Sequence, residues 1–178
     1  MTLVKDPLLA AARILLVFFI AVLGFAAAAV TIAAPIIVIF HDRVVAAFIA
    51  EGAADAARMF PALPILMLGI AALLALGVYF LVLLRRIVNS VGEGDPFIPV
   101  NATRLSRMGW LSLIGQIVSI PIGAAVVWIA RIVEDDPKVR VDEFGFSGTG
   151  ILLMLVLFIL ARVFRRGAEM REELEGTV

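Results

Sequence analysis

Four long apolar runs, separated by short charged segments, organise this sequence. They are Ile14–Phe40, Met59–Leu84, Met108–Ala130 and Phe144–Ala161, and none contains Lys, Arg, Asp, Glu or His. The first three hold 27, 26 and 23 residues; the fourth holds 18 and continues past Arg162. A helix needs about 20 predominantly apolar residues to cross a bilayer. The pattern therefore predicts an all-α integral membrane protein, a four-transmembrane-helix bundle with an amphipathic outer helix between spans 1 and 2.

The charged interruptions divide a single membrane domain covering residues 1–178. We predict four spans, at about 10–36, 61–86, 106–131 and 147–165. Three connecting or terminal segments follow from them: an outer amphipathic segment at 41–60, a cytoplasmic loop at 87–105 and a cytoplasmic tail at 166–178. The first run is nearly twice the length of a signal-peptide core of about 7–15 residues, so we expect it to remain as a span.

Local signals refine these elements. In 41–60, apolar residues recur at spacings of three and four, which is typical of an amphipathic helix, although Gly52 weakens it. Pro35 is expected to kink or end the first span, because proline lacks a backbone donor. Asn101 is expected to be the N-cap of a helix starting at Ala102. The alternation in Lys138–Phe144 favours a short strand or a hairpin arm.

Composition agrees with membrane residence. Hydrophobic residues make up 63% of the chain, and the mean hydropathy is +1.11, whereas soluble domains are roughly 45–50% apolar. Lys and Arg number 15, as do Asp and Glu, so no basic excess points to direct nucleic-acid binding. There is no Cys, which excludes disulfides and thiolate chemistry.

The distribution of charge predicts the topology. With both termini and the middle loop on one side, that side carries ten basic residues and a net charge of +3, and the other carries five and a net of −3. Cytoplasmic loops are enriched in Lys and Arg. We therefore predict a multi-pass protein of the bacterial cytoplasmic (inner) membrane with both termini in the cytoplasm.

The third span contains small and polar residues. Gly115, Ser119 and Gly123 form a small-xxx-small face that favours close helix packing, either within the bundle or in a homo-oligomer. Gln116, beside that face, should point inward and hydrogen-bond a neighbouring helix, because an unpaired polar group in lipid is costly. Pro121 predicts a static kink or, less simply, a hinge.

Little else suggests chemistry. The only His, His41, stands near Asp42, Glu51 and Asp55 and could ligate a metal, but dispersed carboxylates favour a solvated loop; the same holds for Glu134–Asp136. No catalytic or phosphate-binding motif is present. We expect no enzyme activity, no cofactor and no metal. The interfacial arginines are expected to anchor the helices at lipid headgroups: Arg85, Arg86, Arg107, Arg162 and Arg165.

Two segments resemble a known family. The first is LLRRIVNSVGEGDPFIPVNATRLSRMGW, with a turn at Gly94–Phe97 followed by Asn101, Arg104, Leu105 and Gly109. The second is ARVFRRGAEMREELEGTV, with Phe164, Arg166, Gly167, Glu172 and Thr177–Val178. With the four-span layout, they resemble the bacterial membrane proteins of domain-of-unknown-function family 2975 from about the second span to the end. The chain departs from that pattern in its longer Ala-rich first span and its 18-residue fourth run.

The resemblance implies an inner-membrane protein. Some members of the family are encoded beside a small helix-turn-helix regulator, which implies a regulatory partner. It brings no catalytic residues. Our first hypothesis is a scaffold or regulatory protein whose inner loop and tail bind a cytoplasmic partner. The residues expected to form that surface are Pro96, Phe97, Asn101, Arg104, Phe164, Arg166 and Gly167. The alternatives are a small transporter or channel component, which would need a polar path through Gln116, and a lipid or envelope-stress sensor using 41–60.

Overall fold

The computed structural model describes residues 7–51, 56–133 and 147–175, in which all regular structure is α-helical. The predicted strand at Lys138–Phe144 and the acidic group Glu134–Asp136 lie outside these residues. Six helices follow one another along the described chain: α1 Pro7–Ile39, α2 His41–Ala50, α3 Ala56–Met59, α4 Ala62–Gly92, α5 Pro99–Val133 and α6 Gly148–Glu175.

Four of these helices, α1, α4, α5 and α6, are long and apolar enough to cross a membrane. Their most apolar segments bury few residues, from 0% in α4 to 28% in α5. Large apolar side chains such as Phe25, Leu68 and Leu152 are exposed instead, by 79%, 72% and 61%. Apolar surface on this scale indicates a lipid or protein environment. The expected four spans and all-helical class are confirmed.

The connection between α4 and α5 is shorter than predicted. Helix α4 continues to Gly92, and α5 already begins at Pro99, so the non-helical turn is only residues 93–98. Gly94 has φ +90°; its N–H bonds the Val91 carbonyl, and the Asp95 N–H bonds that of Ser90. This pairing is a Schellman motif, which ends a helix with a left-handed residue.

The predicted N-cap at Asn101 is wrong. Helix α5 starts at Pro99, whose fixed φ suits the first helical position and whose missing N–H would have no helical partner there. Asn101 therefore lies inside the first turn, and its side chain is free to bond elsewhere. Of the two outcomes expected at Pro35, a kink or an end of the first span, the end is not found, since α1 continues through Pro35 to Ile39.

The described chain forms two compact units. Unit 1 comprises Met1–Leu23, Leu76–Ile114 and Gly148–Val178. Its core joins three helices, with Leu83 and Ile87 from α4, Leu105 and Met108 from α5, and Leu157 and Ala161 from α6. Nearby, the Phe158 ring lies edge-on to Trp110, with centroids 5.7 Å apart, and a Cβ added to Gly109 would be 3.1 Å from that ring.

Unit 2 comprises Gly24–Ala75 and Gly115–Ser147. Here α4 and α5 approach closely at Gly69, where an added Cβ would overlap the Ile122 side chain. The predicted amphipathic segment contains two helices, α2 and α3. In α2, Phe48 and Ile49 remain 42% and 50% exposed, so this short helix keeps apolar surface available outside the chain's own core.

Candidate functional site

The turn 93–98 lies against α6 through Phe97. The Phe97 and Phe164 rings are 5.1 Å apart between centroids and tilted by 41°. A Cβ placed on Gly167 would lie 2.7 Å from Phe97 Cδ1, so only glycine accommodates the ring in this position. Phe97 stays 42% exposed. The aromatic side chain thus fastens the turn to α6 while presenting part of its surface outward.

Asn101 joins the turn to both neighbouring helices. Its Nδ2 donates to Ser90 Oγ (2.7 Å) and to the Pro96 carbonyl (2.9 Å), and its Oδ1 accepts from Arg104 Nη1 (2.8 Å). Asn101 is completely buried, and Ser90 is 6% exposed. Asn101 therefore cannot touch a partner directly, which corrects its expected role: it holds the turn in place.

Arg104 also has an internal partner. Its Nη1 donates to the Arg86 carbonyl (3.2 Å) as well as to Asn101. A cation near the carbonyls of the last turns of a helix interacts favourably with the helix dipole. Arg104 is only partly exposed, and through these two bonds it stabilises the end of α4.

Helix α6 continues past its contact with Phe97 as a regular helix to Glu175. The sequence analysis predicted a tail at 166–178 without assigning a helix to it. An ion pair joins Arg171 to Asp95 of the turn, and Ala168 is 4% exposed. On the remaining surface, Met170 and Leu174 are 64% and 70% exposed. The terminal part of α6 is thus held on one side and leaves two large apolar side chains uncovered.

The structure brings together six of the seven predicted partner-binding residues: Pro96, Phe97, Asn101, Arg104, Phe164 and Gly167. Arg166 lies apart from this network, exposed beside Arg162, with which it lines a shallow surface concavity. The predicted headgroup arginines, Arg85, Arg86, Arg107, Arg162 and Arg165, are all exposed, as interfacial anchoring requires.

Several members of this network were not predicted. Ser90 donates to the Ile87 carbonyl (2.7 Å) and accepts from Asn101. Arg13 of α1 reaches the end of α4, where its Nη2 donates to the Asn89 carbonyl (3.5 Å). The same guanidinium occupies the space that a Cβ on Gly92 would take. The sequence gives no sign that Ser90 would bond a buried amide, because serines near helix ends are common. An Arg that precedes an apolar run, as Arg13 does, is a weak sign of contact with a neighbouring helix end.

The polar and small residues of the third span have distinct surroundings. Gln116 is 8% exposed, as expected, but its Oε1 and Nε2 have no hydrogen-bond partner among the described residues, so the expected bond to a neighbouring helix is not found. Ser119 Oγ donates to the Gln116 carbonyl (2.7 Å). A Cβ on Gly115 would meet Leu73 of α4 at 3.9 Å, and Gly123 is buried, which is the packing within one chain that small residues permit.

Metal-ligating groups do not converge in the described part of the chain. There, no set of three or more His, Cys, Asp or Glu side chains could hold a metal ion. His41 Nδ1 instead lies 2.9 Å from Asp42 Oδ1, and its ring stands edge-on to Phe60, with centroids 4.0 Å apart. Asp55 lies outside the described residues.

The four apolar helices and their exposed apolar faces define a multi-pass membrane protein. The chain belongs to the family described as "Protein of unknown function (DUF2975)", whose model matches residues 44–178. That range includes the turn 93–98 and all of α6, the elements on which the resemblance in sequence rested. No curated protein matches the chain, and no solved structure does.

Proposed function

We propose that this protein is a non-catalytic scaffold or regulatory protein of the bacterial inner membrane, which presents the end of α6 to a cytoplasmic partner. The observation that carries the proposal is the continuation of α6 to Glu175 with Met170 and Leu174 exposed. A protein partner would cover this apolar surface, which lies between charged side chains.

The orientation of the chain is the first part of the proposal. All ten basic residues of the side predicted to be cytoplasmic belong to the sequence ranges of unit 1, and the other five belong to unit 2. The positive-inside tendency of membrane proteins supports a cytoplasmic location for both termini and for the turn 93–98.

The contacts of the turn explain how the end of α6 is kept available. Phe97 contacts Phe164 and Gly167, and Asp95 pairs with Arg171. These contacts fix one side of α6 over about two turns. Met170 and Leu174 lie beyond these contacts along α6 and are exposed. Apolar residues four positions apart on a helix are the kind of anchor by which an amphipathic helix is recognised.

The partner we propose is a helix-turn-helix transcriptional regulator, the class that the family resemblance implies. The membrane protein itself would not bind nucleic acid; it would hold the regulator at the membrane and so control its access to DNA. Glu169 and Glu173 adjoin the apolar pair, and Arg166 stands about one helical turn before Met170; all three are exposed. The surface therefore carries charges of both signs, which select a partner with the complementary pattern.

Topology is the first test. A reporter enzyme that is active only in the periplasm, fused after Val178, should be inactive. A fusion at Glu51 should be active, because that residue lies in the connection between the first two candidate spans. Strong activity of the C-terminal fusion would contradict a cytoplasmic α6.

Partner binding is the second test. A photoreactive amino acid at Met170 should give, in living cells, a cross-linked product whose mass spectrum identifies a helix-turn-helix regulator. The matched control is the same amino acid at Leu68, a 72% exposed residue of the α4 span, which should give only lipid products. The Met170→Glu variant should lose co-purification of the regulator while retaining membrane insertion. Cross-links from position 170 to lipid alone would contradict the proposal.

A further inference from the structure

An apolar groove runs between α4 and α5 in unit 2. It is lined by Pro61, Ala62, Ile65, Pro121, Ala124, Ala125 and Trp128, and its volume is about 330 Å³. No charged side chain lines it. Three of the lining residues are alanines, whose side chains are single methyl groups, and Ile65 and Trp128 are 50% and 57% exposed.

Trp128 forms a fixed wall of the groove. Its indole Nε1 donates to the Arg58 carbonyl (3.2 Å), so the polar atom of the ring is already paired. The ring therefore offers its carbon surface to an occupant, and the groove selects for hydrocarbon rather than for a polar solute. Because α4 and α5 are candidate membrane spans, that occupant reaches the groove from the bilayer.

The position of the groove distinguishes between apolar occupants. It lies on two helices that are candidate membrane spans, where the surrounding medium is lipid hydrocarbon. A flexible acyl chain reaches such a groove directly from the bilayer, whereas a helix would have to come from a second molecule.

The charges beside the groove indicate what the hydrocarbon is attached to. Arg58 precedes the groove residue Pro61 by three positions, and Arg131 follows Trp128 by three; both arginines are exposed. A Trp and an Arg at the end of a span are typical of headgroup depth. Guanidinium groups bind phosphate oxygens in a bidentate manner, and every phospholipid carries a phosphate at that depth.

We propose that this groove is a binding site for one phospholipid, whose acyl chain lies along Ala124 and Trp128 and whose phosphate is bound by Arg131, with Arg58 beside it. The site goes beyond the proposed partner binding and is independent of it, since it uses residues of unit 2 only. A failed lipid experiment would leave the α6 proposal standing, and the reverse also holds.

The two tryptophans of the chain provide the experiment. Trp110→Phe leaves Trp128 as the only emitter, and Trp128→Phe leaves Trp110, an exposed residue of unit 1 that serves as the control. Each variant is reconstituted in phosphatidylcholine vesicles that contain a minor fraction of phosphatidylglycerol brominated on its acyl chain, because bromine quenches tryptophan fluorescence on contact. A second series carries the bromine on phosphatidylcholine instead.

A specific site predicts stronger quenching of Trp128 than of Trp110 at the same fraction of brominated lipid. Ala124→Leu, which fills the groove from an exposed position, should abolish the excess, and Arg131→Gln should reduce it. The matched control is Ala75→Leu, which adds the same volume at an exposed position of α4 outside the lining and should leave the excess unchanged. Ala124→Val serves as the filling variant if Ala124→Leu does not fold.

Three outcomes would overturn the proposal. Equal quenching of the two tryptophans would show ordinary contact with surrounding lipid. Excess quenching that survives both groove-filling variants would place the lipid elsewhere. Protection of Trp128 from both brominated lipids, together with a dimer on size-exclusion chromatography, would identify a second copy of the chain as the occupant. If both series quench Trp128 equally and Ala124→Leu abolishes the excess, the site recognises the phosphate and acyl chain common to both lipids, as proposed.

Discussion

Helix α5 contains two buried side-chain amides, one with hydrogen-bond partners and one without a partner among the described residues. In unit 1, Asn101 is fully buried and bonds Ser90, Pro96 and Arg104. In unit 2, Gln116 is 8% exposed, and its amide has no hydrogen-bond partner among the described residues. The difference extends to the surroundings, since unit 1 fastens its turn with aromatic and ionic contacts, whereas unit 2 leaves an apolar groove beside Pro121.

The contrast shows which interactions fix the conformation of each unit. A satisfied buried network fixes one arrangement of the chain, because every alternative leaves a polar group unpaired in a low-dielectric environment. Unit 1 uses such a network to set the position of the turn 93–98 relative to α6. Unit 2 relies on the fit of small residues, as at Gly69 and Ile122, and that kind of packing accommodates a lipid chain in a groove more easily than a polar lattice does.

The largest expected effect is that of removing the satisfied amide. Asn101→Leu should lower the free energy of unfolding by about 3 kcal/mol, because it leaves buried polar partners unsatisfied at about 1–3 kcal/mol each. Unfolding of the purified protein in mixed detergent and sodium dodecyl sulfate, followed by circular dichroism, measures the change. Thr103→Ala, an exposed position in the same helix, is the control. Equal midpoints for Asn101→Leu and wild type would show that the network contributes no stability.

Overpacking the contact between the turn and α6 should have the next largest effect. Gly167→Ala should cost about 1–3 kcal/mol, because the new methyl group would overlap Phe97. Adding Phe97→Leu should recover part of this loss by making room. Gly148→Ala, where nothing lies within 4 Å of an added Cβ, should be close to neutral. If the two glycine variants unfold alike in the same detergent titration, Phe97 does not pack against α6 as described.

Removal of the Gln116 amide should increase stability, whereas removal of the Asn101 amide should decrease it. Gln116→Leu should raise the free energy of unfolding by about 1 kcal/mol, because the buried amide no longer has to lose its hydration without a compensating bond. Ser119→Ala, whose hydroxyl bonds a carbonyl of its own helix, is the control and should change stability little. A destabilised Gln116→Leu protein would indicate that the amide has a partner after all.

The same variant sharpens the transport alternative. Liposomes that contain wild type or Gln116→Leu should be equally impermeable to small ions and polar solutes if the protein is a scaffold. A flux that is present in wild type and lost in Gln116→Leu would instead assign Gln116 to a polar path.

The smallest expected effect belongs to the ion pair between Asp95 and Arg171. Their side chains are 35% and 49% exposed, and exposed ion pairs are worth about 0.2–1 kcal/mol. Asp95→Asn should therefore lower thermal stability slightly at low salt, and the difference should shrink at high salt through screening. The control is Glu172→Gln, which neutralises an exposed carboxylate on α6, the helix that contains Arg171. A large effect that is insensitive to salt would show that Asp95 acts through buried hydrogen bonds instead.

The sequence could predict the spans, since their number and approximate positions follow from the length of uninterrupted apolar runs, and the helices α1, α4, α5 and α6 enclose most of each run. It also predicted most of the residues that meet at the turn, through their resemblance to a family. It could not predict that α4 would extend to Gly92 or α6 to Glu175, because polar helix ends carry no hydropathy signal.

By itself, then, the sequence determined the membrane class, because the transfer of apolar helices into lipid depends on composition and length alone. It also determined the charge asymmetry from which the orientation is proposed. Only the tertiary structure decided that Asn101 is an internal fastener, that Gly167 makes room for Phe97, that Gln116 is buried without a described partner, and that α4 and α5 leave a groove at Trp128. Each depends on which side chains from distant parts of the chain come within about 4 Å of one another, and that is a property of packing rather than of local pattern.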